Sequence, residues 1–125
     1  MRILYVDDEA DIREIVGMSL GLDPDITVET VSSGAEALAA VDARLPDVIL
    51  LDVMMPDMDG PTTLFRLRER PDTREVPVVF MTARTQGREI ERFKTLGALG
   101  VIAKPFNPIT LASDLRALLA QALRG

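Results

Sequence analysis

The chain has 125 residues, 47% of them hydrophobic, and this size and composition predict one folded domain and exclude a disordered chain. It contains neither cysteine nor histidine, which excludes disulfides, thiolate chemistry, Ser-His-Asp triads and histidine-ligated metals. A formal net charge of −6 gives direct nucleic-acid binding no bulk electrostatic support. No apolar run approaches the ~20 residues of a membrane span, and the start "MRILYVDDE" reads as a strand, not as a signal peptide. We therefore expect a cytoplasmic protein without a membrane partner.

Five short segments rich in apolar and β-branched residues predict β-strands. They are residues 2–6, 26–31, 47–51, 76–81 and 100–103. Each is followed by apolar residues at helical spacing, which gives five βα units joined by short loops. Alternation of this kind predicts an α/β fold, in which helices cover both faces of a parallel sheet.

Local signals predict where the helices begin and which faces they bury. The predicted starts are the capping boxes Asp11-x-x-Glu14 and Ser33-x-x-Glu36, and the prolines of Gly60-Pro61 and Asn107-Pro108. The second helix is predicted from about Gly34 to Arg44, and the third to about Arg70. The predicted inward faces are Ile90, Phe93 and Leu96 in the fourth helix, and Leu111, Leu115, Leu118, Leu119 and Ala122 in the fifth.

Polar residues stand at the ends of four predicted strands. They are Asp7, Asp8 and Glu9 after the first, Asp52 after the third, Thr82 after the fourth and Lys104 after the fifth. In a flavodoxin-like, doubly wound (βα)5 sheet of order 2-1-3-4-5, strands one and three are neighbours, so Asp7, Asp8 and Asp52 converge. Converging carboxylates repel one another unless a cation neutralises them, and a site with few carboxylates suits Mg²⁺. The sequence therefore predicts a magnesium site at these strand ends.

Four motifs, "YVDDE", "LLDVMMPDMDG", "MTA" and "AKPF", occur in this order at the strand ends. In order and spacing they resemble the receiver domain of bacterial two-component response regulators. The resemblance covers essentially the whole chain, so residues 1–125 are expected to form a single receiver domain. It implies that Asp52 is the phosphoacceptor, which takes a phosphoryl group from a histidine kinase or a histidine phosphotransfer protein.

The resemblance also implies roles for the neighbouring residues. Asp8 would bind Mg²⁺ directly, Asp7 directly or through water, and Met54 through its backbone carbonyl, with Asp52 completing the set. Thr82 would hydrogen-bond the phosphoryl group and Lys104 would pair with it, and the Lys104-Pro105 bond is expected to be cis. These roles agree with the chemistry, because a carboxylate that attacks a phosphoryl group needs positive charge around it.

Other interpretations of single residues remain open at this point. Asp8 or Glu9 would also favour the start of a helix. Asp57 and Asp59 are expected to shape the loop and cap the next helix instead of binding metal. Val101 stands where many receivers carry the aromatic residue that moves on activation, so we expect the output change to come from residues 83–92.

Two other functions compete with the phosphoacceptor. A pseudo-receiver would bind partners without being phosphorylated, and Val101 slightly favours it. A phosphatase with an aspartyl nucleophile would need a second acid two residues after Asp52, where this chain has Met54. The output is open between a separate protein target and an effector domain of a longer regulator.

Overall fold

The computed structural model describes residues 1–124, with side-chain burial described as far as Ala122. Its elements are β1 (Arg2–Val6), α1 (Ala10–Gly21), β2 (Thr27–Val31), α2 (Gly34–Ala43), β3 (Val48–Asp52), α3 (Gly60–Glu69), β4 (Val78–Thr82), α4 (Gly87–Thr95), β5 (Gly100–Ala103) and α5 (Leu111–Arg124). All pairings are parallel and the strand order is β2-β1-β3-β4-β5. The predicted flavodoxin-like α/β fold is confirmed. Among residues 1–124, no helix has the length and apolarity that crossing a membrane requires.

The sheet separates two apolar cores, because successive side chains of a strand point to opposite faces. Buried residues of α2, α3 and α4 pack on one face, and those of α1 and α5 pack on the other. Every residue of β3 and β4 is buried, which explains why these central strands have continuous apolar sequences. The first face is called here the α2–α4 face and the second the α1/α5 face.

Two predicted helix starts are confirmed in detail. Ser33 caps α2, and its Oγ accepts the Glu36 N–H at 3.0 Å. The Glu36 carboxylate turns to the N–H and hydroxyl of Ser32, each at 2.8 Å, one residue earlier than a standard capping box requires. Asp59 caps α3 by accepting the Thr62 N–H at 2.9 Å, with Pro61 in the first turn as predicted.

The other two predicted starts are wrong. Helix α1 begins at Ala10, before Asp11, and its N-cap Glu9 makes no side-chain capping bond to any described residue. The Arg13 N–H, which a cap at Asp11 could use, is instead bonded to the Glu9 carbonyl at 3.0 Å, so Asp11 already lies inside the helix. Helix α5 begins only at Leu111, because residues 108–110 form a turn, in which Asn107 Oδ1 accepts the Ile109 N–H at 2.9 Å and the Asn107 carbonyl accepts the Thr110 N–H at 3.1 Å.

The predicted inward faces are correct except at the helix ends. Phe93 is buried and meets Phe80 edge to face, with ring centroids 4.9 Å apart. Leu96 is 44% exposed, because α4 ends at Thr95 and Leu96 is its C-cap. In α5, Leu111 and Leu115 are fully buried while Leu118 and Leu119 are half-buried, and Ala122 is exposed, contrary to prediction.

Two strand boundaries differ from the prediction in a way that matters for function. Strand β3 runs one residue further than predicted and ends at Asp52, and β4 likewise ends at Thr82. Asp52 is in register with Met81, and Thr82 with Ala103. The backbones of both polar residues are therefore held in the sheet, where a loop would leave them mobile.

Candidate functional site

Three carboxylates meet where β1 and β3 end. Ligand atoms of Asp7, Asp8 and Asp52 all lie within 4.8 Å of one another. Asp7 and Asp52 are buried, whereas Asp8 is exposed and opens the site to solvent. The predicted convergence of these carboxylates is confirmed. The donors are all oxygen, so the cluster fits a hard divalent cation such as Mg²⁺.

Lys104 joins the two buried carboxylates. Its Nζ lies 3.0 Å from Asp52 Oδ1 and 3.2 Å from Asp7 Oδ2. All three residues continue the α1/α5 face, since they follow Tyr5, Leu50 and Ile102 at a spacing of two residues. The Lys104-Pro105 peptide bond that follows is cis, as expected. Three carboxylates against one ammonium group leave two negative charges in excess, which matches the charge of a divalent cation.

The same arrangement changes the proton affinities of its members. Burial raises the pKa of Asp52 above its ordinary value; Lys104 works against this shift, and the nearby charge of Asp7 adds to it. For Lys104, burial alone would lower the pKa, but the hydrogen bonds and charges of Asp52 and Asp7 outweigh it and raise the pKa. The lysine is therefore charged near neutral pH, and poor solvation disfavours the charged form of Asp52.

Asp7 is fixed by donors from three parts of the chain. Its Oδ2 accepts the Tyr5 hydroxyl at 2.5 Å as well as Lys104, and its Oδ1 accepts the Glu9 N–H. In addition, Arg13 donates to the Asp7 backbone carbonyl at 2.8 Å, which ties α1 to the end of β1. The carboxylate thus has a defined orientation although it is fully buried.

Thr82 lies beside the carboxylates but belongs to the opposite face of the sheet. It alternates with Met81, so it shares the side of Phe80 and Val78. Its Oγ1 accepts the Arg84 N–H at 3.0 Å. The hydroxyl therefore acts as an acceptor in this structure, and its own proton is available for a new partner.

The loop from Asp52 to α3 fits closely against the sheet. A Cβ on Gly60 would stand 2.5 Å from the Asp52 carbonyl oxygen and 2.9 Å from Val53 Cα, so only glycine fits there. Asp57 has a positive φ of 68°, and the Met58 N–H bonds back to the Pro56 carbonyl at 2.7 Å, which forms a tight turn. This is the loop-shaping role predicted for Asp57.

The comparisons with known proteins decide the family. A family model described as "Response regulator receiver domain" matches residues 3–116. The chain belongs to this family. Among curated relatives, this receiver domain is 38% identical over 120 residues to the response regulator Rre1 of Synechocystis sp., covering 95% of the chain and 52% of the relative. It is 35% identical over 123 residues to the phosphate regulon regulator PhoB of Rhizobium meliloti, covering 97% of the chain and 53% of the relative.

A solved structure gives the same result. The chemotaxis response regulator CheY4 of Vibrio cholerae superposes with a TM-score of 0.86 at 36% identity, covering 94% of this chain and 97% of that one. The receiver domain spans about half the length of the curated relatives named above. Its membership assigns it to two-component signalling, and it removes the need for the phosphatase alternative.

The structure brings together most of the predicted site residues of this receiver domain. Asp7, Asp8, Asp52 and Lys104 form one cluster, while Thr82 stands at the neighbouring strand end. The Met54 side chain is 67% exposed in the loop after β3, and a ligand role for its carbonyl stays a prediction. Sequence reasoning missed Tyr5. The signal was a tyrosine in a buried strand, two residues before Asp7, because a buried hydroxyl needs a partner and i and i+2 share a face.

Proposed function

We propose that Asp52 accepts a phosphoryl group from a phosphohistidine donor and that this event switches the receiver domain. The observation that carries the proposal is the contact of Lys104 Nζ with Asp52 Oδ1 at 3.0 Å, inside a cluster of three carboxylates. Asp52 is buried beside one ammonium group and two other carboxylates. Lys104 together with a bound divalent cation would offset the negative charge that a phosphoryl group adds.

The transfer step uses these residues in defined roles. A carboxylate oxygen of Asp52 forms the new O–P bond while the P–N bond to the donor imidazole breaks. The electron pair of that bond stays on the imidazole nitrogen, which takes a proton from solvent. The Lys104 ammonium group moves from the Asp52 carboxylate to a phosphoryl oxygen, and the Thr82 hydroxyl donates to a second phosphoryl oxygen.

Asp7, Asp8 and Asp52 hold the magnesium ion in this proposal, and Met54 adds its backbone carbonyl. When bound, Mg²⁺ neutralises the phosphoryl oxygens and the repulsion between them and the carboxylates. Asp8, the exposed member of the cluster, would bind the ion directly. Asp7, fully buried and hydrogen-bonded, acts directly or through water.

The test is phosphorylation by acetyl phosphate and by phosphoramidate, read by intact mass and peptide mapping. With Mg²⁺ the wild type is expected to gain one phosphoryl group on Asp52, and the Asp52→Asn variant none. An adduct of full stoichiometry on another residue would overturn the assignment. A wild type that gains no adduct from either donor would instead be the pseudo-receiver, a binding module that is not phosphorylated.

The donor protein is proposed to dock on an apolar surface next to Lys104. This α1 apolar surface comprises Ile12, Ile15, Met18, Leu22, Phe106 and Pro108. It is formed by a groove of about 440 Å³ and a second of about 300 Å³, which share Ile15 and Pro108. Lys104 lines the first groove, so a protein whose phosphohistidine reaches Asp52 lies over this surface. Met18 and Leu22 are 68% and 76% exposed, and a partner would remove them from water.

A panel of autophosphorylated histidine kinases and phosphotransfer proteins tests the docking surface. With the donor of this panel that phosphorylates the wild type fastest, Ile15→Asp is expected to slow phosphoryl transfer to the receiver at least tenfold. The same substitution should leave phosphorylation by acetyl phosphate unchanged. Phe65→Asp, which alters an exposed side chain on α3, is the matched control and is expected to behave as wild type. Equal slowing in both variants, or in neither, would contradict the assignment.

The remaining expectations belong to the same proposal. Residues 1–125 act as one receiver domain in the cytoplasm, without direct contact to nucleic acid or membrane. The switched surface acts on a downstream protein or on an effector domain of the same regulator.

A further inference from the structure

Tyr5 is the single tyrosine of a chain that has no tryptophan. It is fully buried in the middle of β1, among residues of the α1/α5 core. A phenylalanine would fill the same space without bringing a hydroxyl group into an apolar core, where an unpaired hydroxyl is costly. The hydroxyl is directed along the strand toward the site, and it donates to Asp7 Oδ2 at 2.5 Å.

Asp7 Oδ2 has two donors that respond differently to phosphorylation. One is Lys104 at 3.2 Å, which also holds Asp52 and, under the proposed function, moves with the charge to the phosphoryl group. The other is Tyr5, whose backbone is paired on both sides within the sheet. When Lys104 leaves, the Tyr5 hydroxyl is therefore the side-chain donor that stays on Asp7.

The hydroxyl acts as a neutral donor in this contact. A phenol is protonated near neutral pH, and the Tyr5 O–H is directed at Asp7 Oδ2 at 2.5 Å. A neutral, rigidly held donor fixes the rotation of a carboxylate without placing a second positive charge next to an incoming cation. Residues that hydrogen-bond a ligand carboxylate in this way typically contribute about 10–100-fold to metal affinity.

We infer that Tyr5 is a positioning residue of the metal site, which keeps the Asp7 carboxylate aligned for Mg²⁺ before and after phosphorylation. The inference rests on the proposed function, because it concerns the same cluster. It assigns Tyr5 no contact with the ion or the phosphoryl group. Its hydroxyl acts through Asp7.

Mg²⁺ affinity separates this role from a structural one. Tyr5→Phe removes one oxygen atom, and its Mg²⁺ dissociation constant, measured by calorimetry, is expected to rise about tenfold. The matched control is Thr73→Val, which removes another fully buried hydroxyl, donated to the Leu67 carbonyl at 2.6 Å, away from the carboxylates. The control should lose thermal stability but keep the wild-type dissociation constant.

Tyr5 also supplies a fluorescence signal that can be measured in the wild-type protein. Because it is the single tyrosine and tryptophan is absent, near-ultraviolet fluorescence comes from this side chain, and a carboxylate that accepts from a phenol quenches tyrosine emission. Mg²⁺ draws charge from Asp7, so wild-type emission is expected to rise along the same binding curve as the calorimetric one. Asp8→Ala should need much more Mg²⁺ for the same rise.

The outcomes distinguish the inference from the proposed function. Binding of Mg²⁺ without a change in Tyr5 emission, or with equal affinity in Tyr5→Phe and wild type, would overturn the role of Tyr5 alone. A wild type that binds no Mg²⁺ in calorimetry would overturn the metal site and the inference together. Parallel emission and heat curves with a tenfold loss in Tyr5→Phe would support it.

Discussion

At the scale of single residues, repulsion between the buried carboxylates of the site is opposed by a lysine that contacts both of them. Asp7 and Asp52 are both buried, and Lys104 is the cation that contacts them both. Burial raises the pKa of Asp52, although Lys104 opposes the shift. The ionised form of Asp52 is therefore a cost to the stability of the folded protein, which a bound cation or the loss of the charge would relieve.

Asp52→Asn is expected to raise the melting temperature at neutral pH when Mg²⁺ is chelated. A raised pKa means that the folded state binds the proton of Asp52 more tightly than the unfolded chain does. Ionisation therefore lowers the free energy of unfolding of the wild type above that pKa, and the penalty disappears as the pH falls through it toward the ordinary value of 3.8. We expect a rise of a few degrees near pH 7 that shrinks on acidification, where roughly 4 °C corresponds to about 1 kcal/mol.

Thermal melts with Mg²⁺ chelated, at a series of pH values from about 7 down to about 4, check the prediction. Glu14→Gln, which removes an exposed charge on α1, is the control and should change little at any pH. An Asp52→Asn variant that is less stable than wild type near pH 7 would show that Asp52 is a net stabilising partner of Lys104.

At the scale of elements, the loops after β3 and β4 differ in how firmly they are held. The loop after β3 is packed against the sheet at Gly60 and tied by a bond of 2.9 Å from the Gly60 N–H to the Val53 carbonyl. The segment after β4 leads into α4, whose N-cap Gln86 makes no side-chain capping bond to a described residue. The far end of α4 is anchored, because Phe93 is buried and Arg68 donates to the Gly97 carbonyl at 3.0 Å. Motion of α4 is therefore expected at its beginning.

Two glycine substitutions test the packing of the loop after β3. Gly60→Ala places a methyl group against backbone atoms that cannot turn away, so we expect a loss of about 1–3 kcal/mol or more in the free energy of unfolding. Gly17→Ala in α1 meets no atom within 4 Å and should gain about 0.5–1 kcal/mol, since alanine is the better helix former. Urea denaturation measures both. A Gly60→Ala protein as stable as Gly17→Ala would refute the close fit.

Phosphorylation is expected to move residues 83–92 while Val101 stays nearly still. Val101 is half-buried and packs on the α2–α4 core, and its β-branched side chain has no ring to swing. Thr82, drawn toward the phosphoryl group, would release the Arg84 N–H that its Oγ1 now accepts at 3.0 Å, and so shift the start of α4. Amide chemical shifts with and without beryllofluoride, a phosphoryl mimic, measure this. Large changes centred on Val101 with little change at 83–92 would show that the prediction is wrong.

At the scale of the whole molecule, the acidic cluster links cation binding to folding. The three carboxylates come from the ends of two strands that meet only in the folded sheet. An unfolded chain does not form the site, so Mg²⁺ bound there, as proposed, would stabilise the native state by mass action.

Mg²⁺ is expected to raise the melting temperature at concentrations on the order of millimolar. At about ten times the dissociation constant the gain would be about 1.4 kcal/mol. Asp8→Ala should abolish most of this gain and Asp7→Ala less of it, because Asp8 is proposed to bind the ion directly and Asp7 directly or through water. Scanning calorimetry with NaCl of matched ionic strength is the control measurement. A melting temperature indifferent to Mg²⁺ would count against the site.

The sequence by itself determined the alternation of strands and helices, the strand order and the set of acids, lysine and threonine at the strand ends. The elements and the polar residues follow from periodicity and motif positions, which are local properties of the chain, whereas the strand order was expected from the flavodoxin-like fold class and the resemblance to receiver domains. The structure, and not the capping patterns, shows that α1 starts at Ala10 and α5 at Leu111. It also decided that one lysine bridges Asp7 and Asp52, and that Tyr5 donates to Asp7. Such contacts depend on the packing of strands distant in sequence, and no local pattern specifies the distances between them.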